Sequence, residues 1–219
     1  MSRNSETAFG RIGIAGYMGS GKSTCAGFIA GLAGPKVRVS IIDADGEAKR
    51  MMNRDESIRR RLATSFGATV IHDSAVGFGE LGKAAFASVE TIRRLNGIVH
   101  PPLVKHLQEL VSSQRVPSIL DAALIPLWGI EDWFDRCLWV TASPQRRLER
   151  TRVKSGLSTE QIRVRMSVQE ALFGAPRGGS WIIVENEGSL DELRGRITGL
   201  HIFPRDIQSQ PPLDERKKL

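Results

Sequence analysis

The stretch AGYMGSGKST, residues 15–24, combines residue types that bind phosphate groups. It completes the pattern G-x-x-x-x-G-K-[ST], in which glycines let successive backbone N–H groups face phosphate oxygens. The lysine of this pattern reaches the outer phosphates, and its serine hydroxyl binds Mg²⁺. The alternative is a chance match in a chain that has 22 glycines. The candidate nucleotide contacts are Gly16, Gly19, Ser20, Gly21, Lys22, Ser23 and Thr24, with Ser23 as the metal ligand.

The residues around this loop predict the strand and the helix that such a motif needs. RIGIA, residues 11–15, is typical of a buried strand, and residues 23–34 place apolar side chains at helical spacing. A helix that begins at the loop adds its partial positive charge to the site. The order of strand, loop and helix therefore favours a phosphate site over a flexible turn.

Two acids, Asp43 and Asp45, end a strand predicted over residues 37–45. Because alternate residues of a strand share a face, both acids are expected to point toward the phosphates. One acid would serve Mg²⁺ through water, and the other would accept a proton from a substrate hydroxyl. The alternative is that Asp45 caps the following helix. DADG also satisfies the D-x-x-G of GTPases, but the sequence has no N-K-x-D guanine-reading motif.

The rest of the chain alternates predicted strands with predicted helices. Asp121 lies in a strand predicted over 118–125, and Asn186 ends the last strand. This alternation predicts an α/β fold, a parallel sheet with helices on both faces, in which ligands bind beyond the carboxyl ends of the strands. The other strands are predicted at 137–142 and 181–186, the helices at 47–66, 80–96, 103–114, 144 onward, 158–172 and 189–197, and a loop at 66–77.

Composition bounds the partners and the compartment. The chain has 219 residues, and its net charge of +7 admits nucleic acid or a phosphorylated small molecule. The arginine clusters at 54–61 and 146–154 lack interleaved aromatic residues, so no nucleic-acid partner is expected. The two cysteines suggest no disulfide framework, and no apolar run resembles a signal or a membrane span. We expect one cytoplasmic domain, a monomer or a weak homo-oligomer, with no membrane partner.

Several segments resemble the dephospho-coenzyme A kinase family over residues 12–196. Besides the glycine loop they are IIDADGEAKRM, SFGA, LNGIVHPPL, WVTASPQRRLERT, Gln169 and IIVENEG. The resemblance implies a P-loop kinase that uses ATP and Mg²⁺ on a small-molecule substrate, suspected to be dephospho-coenzyme A. It also implies a kinase domain at 11–203, with a helical substrate region at about 65–115 and a lid at about 145–178. Residues 1–10 and 204–219 would be a flexible start and a loose tail.

The resemblance also implies roles for individual residues. Asp45 matches the catalytic base, Lys22 and Ser23 match the phosphate and Mg²⁺ contacts, and Arg150 matches a lid arginine on the ATP phosphates. Asn186 matches an adenine-side contact. The remaining candidates, on the substrate side, are Asp43, Lys49, His100 and Asp121. For His100 the alternative is a histidine at the start of a helix that only hydrogen-bonds backbone.

Four cations, Arg146, Arg147, Arg150 and Lys154, lie on one predicted helix at spacings that would let them converge on one anion. Arg150 is expected to contribute most to binding that anion.

The departures from the family pattern concentrate on the acceptor side. At five positions this sequence has a different residue from the family pattern. They are Phe78 in place of a substrate-side arginine, Leu127 in place of a glutamate, Ala123 in place of a proline, Lys49 in place of an arginine and Leu172 in place of a second lid arginine. Lys49 and Arg177 are the candidate replacements, although a lysine lacks the bidentate geometry of arginine. The sequence therefore leaves two alternatives open. One is a kinase of another small metabolite or nucleotide, and the other is a nucleotide-binding regulator without acceptor activity.

Overall fold

The computed structural model describes residues 10–35, 37–176, 181–200 and 202. These ranges leave out residues 1–9 of the predicted N-terminal segment. They also leave out Arg177 and the whole predicted tail. The boundaries predicted for the kinase domain, its helical substrate region and its lid stay predictions.

A central sheet of five parallel strands positions the site. Its strands are β1 (Arg11–Ala15), β2 (Ser40–Asp43), β5 (Ser118–Asp121), β6 (Arg136–Thr141) and β7 (Trp181–Glu185). Their order is β2-β5-β1-β6-β7. Asp43 and Asp121 are register partners at the carboxyl ends of β2 and β5. Two of the predicted acids therefore meet at one edge of the sheet.

Helices cover both faces of this sheet, as the sequence predicts. In β1, Ile14 belongs to the apolar core on the face that carries the first and the last helix, whereas Ala15 belongs to the opposite core. This alternation is the two-residue period of a strand that is buried on both sides. The helices are α1 (Lys22–Leu32), α2 (Ala44–Arg54), α3 (Glu56–Phe66), α4 (Phe78–Ala85), α5 (Val89–Ser112), α6 (Ile125–Trp128), α7 (Pro144–Ser155), α8 (Thr159–Leu172) and α9 (Leu190–Thr198).

Local capping explains two differences from the predicted elements. The strand predicted over 37–45 is shorter, because the Asp43 side chain accepts a hydrogen bond from the Asp45 N–H and begins α2. The helix predicted over 47–66 is two helices, because Asp55 is extended and caps α3 through the N–H groups of Ser57 and Ile58. A capping aspartate in an extended conformation thus decides both boundaries.

Three further predictions were wrong in detail. The predicted loop at 66–77 contains a small antiparallel hairpin, β3 (Ile71–His72) and β4 (Ala75–Val76). The strand predicted over 118–125 ends at Asp121. The helix predicted over 80–96 is split, because α4 ends at Ala85 and α5 begins at Val89, and α5 then continues through Pro101 and Pro102 into the helix predicted over 103–114. Buried residues such as Val99 and Leu103 keep the core-facing stripe unbroken there, and this packing outweighs the missing proline N–H groups.

Candidate active site

The glycines of the phosphate loop, residues 16–23, lie where no larger residue fits. Gly16, Gly19 and Gly21 have φ values of 148°, 78° and 99°, which other residues rarely adopt. A Cβ atom would overlap the Val140 carbonyl at Gly16, the Arg147 carbonyl at Gly19 and the Asn186 side chain at Gly21. The loop is therefore enclosed by β6, by α7 and by the residue after β7, and its backbone alone forms the cradle.

The first helix begins directly at this loop. Gly21 is the N-cap of α1, with a left-handed backbone and no side-chain cap, so the first-turn N–H groups stay available to a ligand. Lys22, Ser23 and Thr24 occupy that first turn, where the helix dipole favours negative charge. The Ser23 hydroxyl donates to Asp121 Oδ2 over 2.5 Å. The amides, a cation and a hydroxyl thus gather at one helix terminus.

Asp121 connects the loop to the other acids. Burial raises the pKa of this carboxyl, whereas the Lys22 charge and the Ser23 hydrogen bond lower it, and the charges of Asp45 and Asp43 raise it further. Lys22, Ser23, Asp43 and Asp45 therefore all influence the charge of Asp121. At this edge of the sheet the structure places Ser23 in contact with Asp121, whose register partner is Asp43.

The expectation that Asp43 and Asp45 share one strand face was wrong. Asp43 ends β2, whereas Asp45 lies in the first turn of α2 and is exposed. The distance from Asp43 Oδ1 to Asp45 N is 3.1 Å, so Asp43 rather than Asp45 is the capping residue. The Asp45 carboxylate is therefore not used as a helix cap, and the residue is exposed.

Asn186 and Arg150 join the loop to α7. Asn186 is 6% exposed, and its Nδ2 donates to the Ser20 carbonyl over 2.7 Å. Arg150 donates to the Asn186 carbonyl over 2.9 Å and to its Oδ1 over 3.3 Å. Arg150 remains half-buried, so part of its guanidinium is accessible. This pair fixes the position of one cation next to the loop.

The expected convergence of the α7 cations is wrong. Arg146 lies near Glu149, with 3.8 Å between the charged atoms, while Arg150 holds Asn186. Arg147 is buried and donates to the Met18 carbonyl and to Glu170. The side chains diverge because buried contacts hold two of them, and such contacts cannot be recognised from spacing alone.

The positions on the predicted acceptor side lie on four helices: Lys49 on α2, Phe78 on α4, His100 on α5 and Leu127 on α6. The Lys49 ammonium is 5.7 Å from the centroid of the Phe78 ring, so the two substituted positions contact each other. His100 lies inside α5 rather than at a helix start, with its ring edge-on to Trp128 at 5.4 Å. Burial lowers the pKa of His100 to about 4, which leaves the imidazole neutral at pH 7. Leu127 is exposed.

The sequence did not predict that Arg147 and Gln169 contact the loop backbone, or that Tyr17 of the loop contacts the segment after α8. Gln169 Oε1 accepts the Met18 N–H over 2.7 Å, and the Tyr17 hydroxyl donates to the Phe173 carbonyl over 3.1 Å. In the structure Arg147 and Thr151 form a polar buried face of α7 that hydrophobic periodicity does not indicate. These contacts attach α7 and α8 to the outside of the loop.

The residues present fit a phosphate-bound Mg²⁺ ion. Mg²⁺ in phosphoryl-transfer sites takes one or two protein oxygens and completes its shell with phosphates and water. Ser23 and its partner Asp121 supply oxygen atoms at the helix terminus. Within the described ranges no cluster of three or more His, Cys, Asp or Glu side chains forms a protein-only metal site.

A glycine loop between β1 and α1, a parallel sheet and acids at adjacent strand ends define a P-loop kinase. The profile of the dephospho-CoA kinase family matches residues 11–192, and the chain belongs to that family. A dephospho-CoA kinase from Thermus thermophilus is 30% identical over 184 residues, covering 83% of this chain and 85% of the relative. One from Salinibacter ruber is 29% identical over 198 residues, covering 87% and 95%.

Solved structures agree with the fold. A crystal structure of a Thermus thermophilus protein has a TM-score of 0.62 and 28% identity, covering 87% of this chain and 95% of the other. A shikimate kinase from Bacteroides thetaiotaomicron has a TM-score of 0.50 and 18% identity, covering 88% and 98%, and supports the fold alone. The predicted fold class and family are confirmed, and the chain is a phosphotransferase of coenzyme A biosynthesis. No helix in the described ranges is long and apolar enough to cross a membrane.

Proposed function

We propose that this protein transfers the γ-phosphoryl group of ATP to the ribose 3′-hydroxyl of dephospho-coenzyme A, with Mg²⁺. The observation that carries the proposal is the grouping of Lys22, Ser23, Asp121 and Asp45 around the N-terminus of α1. In the reaction a bond forms between the acceptor oxygen and the γ-phosphorus, and the bond from that phosphorus to the β–γ bridging oxygen breaks. ADP leaves, and the hydroxyl proton passes to a carboxylate.

Positioning and charge neutralisation would account for most of the rate. The loop amides and Lys22 bind the phosphates, and Arg150, held in place by Asn186, adds a second cation on the α7 side. Asp45 is exposed beside this group, where it can orient the acceptor hydroxyl and accept its proton. Asn186 is buried with its amide and carbonyl already bonded to Ser20 and Arg150, so its proposed part is to position Arg150 and the loop rather than to contact the adenine.

Mg²⁺ would be held by Ser23, whose hydroxyl proton is directed to Asp121 and whose lone pair is left for the metal. The bound ion neutralises charge on the phosphate oxygens. Asp43 lies at the next strand end, where it would act on the metal through water. The part of Asp121 proposed here is orientation of the Ser23 hydroxyl, in addition to the substrate-side role that the sequence suggests.

The acceptor side supports a second candidate, a kinase of another small metabolite. The Phe78 ring stands where the family pattern has an arginine, and it contacts Lys49. His100, which is neutral at pH 7, cannot supply the missing positive charge. An acceptor with fewer phosphates than dephospho-coenzyme A would fit this loss of cations.

An acceptor panel tests the proposal. Purified protein with ATP and Mg²⁺ is offered dephospho-coenzyme A, nucleosides, sugars and shikimate-like alcohols, and both ADP and the phosphorylated product are measured. We expect product from dephospho-coenzyme A, with a high acceptor KM. Rapid turnover on another hydroxyl compound, with no product from dephospho-coenzyme A at millimolar concentration, would favour the second candidate. No turnover on any acceptor, with ATP binding retained, would favour a nucleotide-binding regulator.

A further inference from the structure

Arg147 is a charged side chain buried beside the phosphate loop. It is 3% exposed, its Nε donates to the Met18 carbonyl over 3.0 Å, and one terminal nitrogen donates to Glu170 over 2.7 Å. Its guanidinium carbon lies 4.7 Å from the centroid of the Tyr17 ring. The other terminal nitrogen is buried without a hydrogen-bond partner among the described residues. A buried cation with an unpaired nitrogen contributes little to the stability of the fold. The backbone group that Arg147 binds is therefore the better guide to its role.

Both polar backbone groups of Met18 are held by side chains from outside the loop. Its carbonyl accepts from Arg147 of α7, and its N–H donates to Gln169 Oε1 of α8 over 2.7 Å. Met18 occupies one of the four unspecified positions of the glycine-loop motif. Neither side chain could hold this residue unless α7 and α8 were docked against the loop.

These two hydrogen bonds fix the peptide planes on both sides of Met18. Because a trans peptide is planar, the Met18 C=O and the Gly19 N–H point in opposite directions. Because Arg147 binds that carbonyl, the Gly19 N–H points to the side of the peptide opposite the Arg147 guanidinium. In the preceding plane Gln169 takes the Met18 N–H, and the Tyr17 carbonyl on the opposite side accepts the Ser20 N–H over 3.1 Å.

We propose that Arg147 and Gln169 are positioning residues that orient the Met18 peptide planes so that the Gly19 N–H faces the nucleotide phosphates. The inference rests on the proposed use of ATP. Neither residue contacts the reacting atoms, because both act through the loop backbone. They would make nucleotide affinity depend on the docking of α7 and α8, while the acceptor side remains independent of them.

Nucleotide binding without acceptor tests this proposal. Calorimetric titration with ATP and Mg²⁺ compares the parent with Arg147→Met, Gln169→Leu and the double variant. We expect each single variant to bind ATP about tenfold more weakly, the effect of one lost oriented hydrogen bond at a charged ligand. The double variant should bind ATP only slightly less tightly than the single variant with the lower affinity, because both side chains hold the same residue, Met18.

Arg146→Met is the matched control, since Arg146 is an exposed neighbour on α7 that contacts Glu149. Steady-state kinetics should show a raised ATP KM in both single variants and an unchanged acceptor KM, a split that general destabilisation would not produce. Gln169→Leu, which keeps the buried Arg147 in place, covers the case in which Arg147→Met does not fold. ATP affinities of folded variants within about twofold of the control would overturn the inference and leave the proposed function standing. A parent that binds no ATP would overturn both.

Discussion

Two regions of the site are built in different ways. The donor side, formed by the phosphate loop, α7, α8 and Asn186, is joined by buried side chains that hold backbone groups, among them Arg147 on Met18 and Asn186 on Ser20. The acceptor side, formed by α2 beyond Asp45, α4, α5 and α6, has exposed or weakly paired side chains such as Lys49 and Leu127. The first region keeps the family pattern except at Leu172, where the family has a second lid arginine, and the second region holds the other departures.

The difference follows from what each side must recognise. A phosphate group is bound by backbone N–H groups in a few successive residues, and three glycines fix that geometry because larger residues collide there. The proposed acceptor contacts are single side chains from four separate helices, each of which can change without moving the backbone. Loss of an arginine at position 78 therefore leaves the phosphate loop intact, and the two sides can be tested separately.

The largest expected effect is on the donor side, in Lys22→Ala. We expect phosphoryl transfer to fall by on the order of 10³-fold, because the substitution removes the cation at the N-terminus of α1 that faces the phosphates. The measurement is ATP turnover with dephospho-coenzyme A, with circular dichroism to verify the fold. Lys105→Ala, at an exposed lysine on α5, is the control. Unchanged turnover in Lys22→Ala would mean that the loop is structural.

The next effect tests the boundary between the two sides, where Asp43 and Asp45 lie. Asp45→Asn should lower turnover by about 10²-fold with ATP affinity intact, the range for a lost general base. Asp43→Asn should instead weaken the dependence on Mg²⁺, and it should leave the fold intact because asparagine caps helices about as well as aspartate.

The control for these variants is Asp55→Asn, since Asp55 caps α3 through the same kind of contact, away from the strand-end acids. Turnover is measured as a function of Mg²⁺ concentration for the parent and all three variants. If the Asp43 and Asp45 variants behave like the Asp55 variant, neither acid is catalytic and both only stabilise α2.

The sequence predicts the donor side well because its signals are local. The glycine motif, the strand before it and the helix after it are adjacent in the chain, and the capping box at Ser158 that predicts α8 spans only four residues. These features need no knowledge of distant contacts.

Contacts between distant residues are what the sequence leaves undetermined. The inward face of α7 contains Arg147 and Thr151, whereas Val153 on the same helix is 84% exposed, so hydrophobic periodicity gives the wrong face. Contacts with distant residues, the Met18 carbonyl 129 positions away and the Glu170 carboxylate, explain why an arginine is buried there. Likewise, the continuity of α5 through Pro101 and Pro102 depends on core packing that propensity does not report.

A smaller effect concerns stability on the acceptor side. His100 has its pKa lowered to about 4 by burial, below the unfolded value of 6.5. Between these values the unfolded chain binds the proton more readily, so the free energy of unfolding falls as the pH drops from 7 toward 4. The loss from this residue should approach about 3 kcal/mol at pH 4 and about 2 kcal/mol at pH 5.

His100→Phe, which keeps a ring against Trp128, removes this titration. Urea unfolding at pH 7 and pH 5 should show a smaller loss in the variant than in the parent, by about 2 kcal/mol, equivalent to about 30-fold in the unfolding equilibrium. His72→Phe serves as the control, because His72 is exposed. An equal loss in parent and variant would show that His100 is protonated as easily in the folded protein as in the unfolded chain.

The smallest expected effect decides whether the two sides are independent. Phe78→Arg restores the arginine of the family pattern beside Lys49, whose ammonium lies 5.7 Å from the present ring. A charge-assisted contact with an acceptor phosphate is worth about 1.5 kcal/mol or more, so the KM for dephospho-coenzyme A should fall by about tenfold. Phe78→Leu removes the ring without adding charge and should not lower this KM.

Steady-state kinetics with both substrates tests this prediction, because the ATP KM should stay unchanged in both variants. If Phe78→Arg shifts the ATP KM as far as the acceptor KM, the donor and acceptor sides are coupled through α2, and the separation argued from their contacts is wrong.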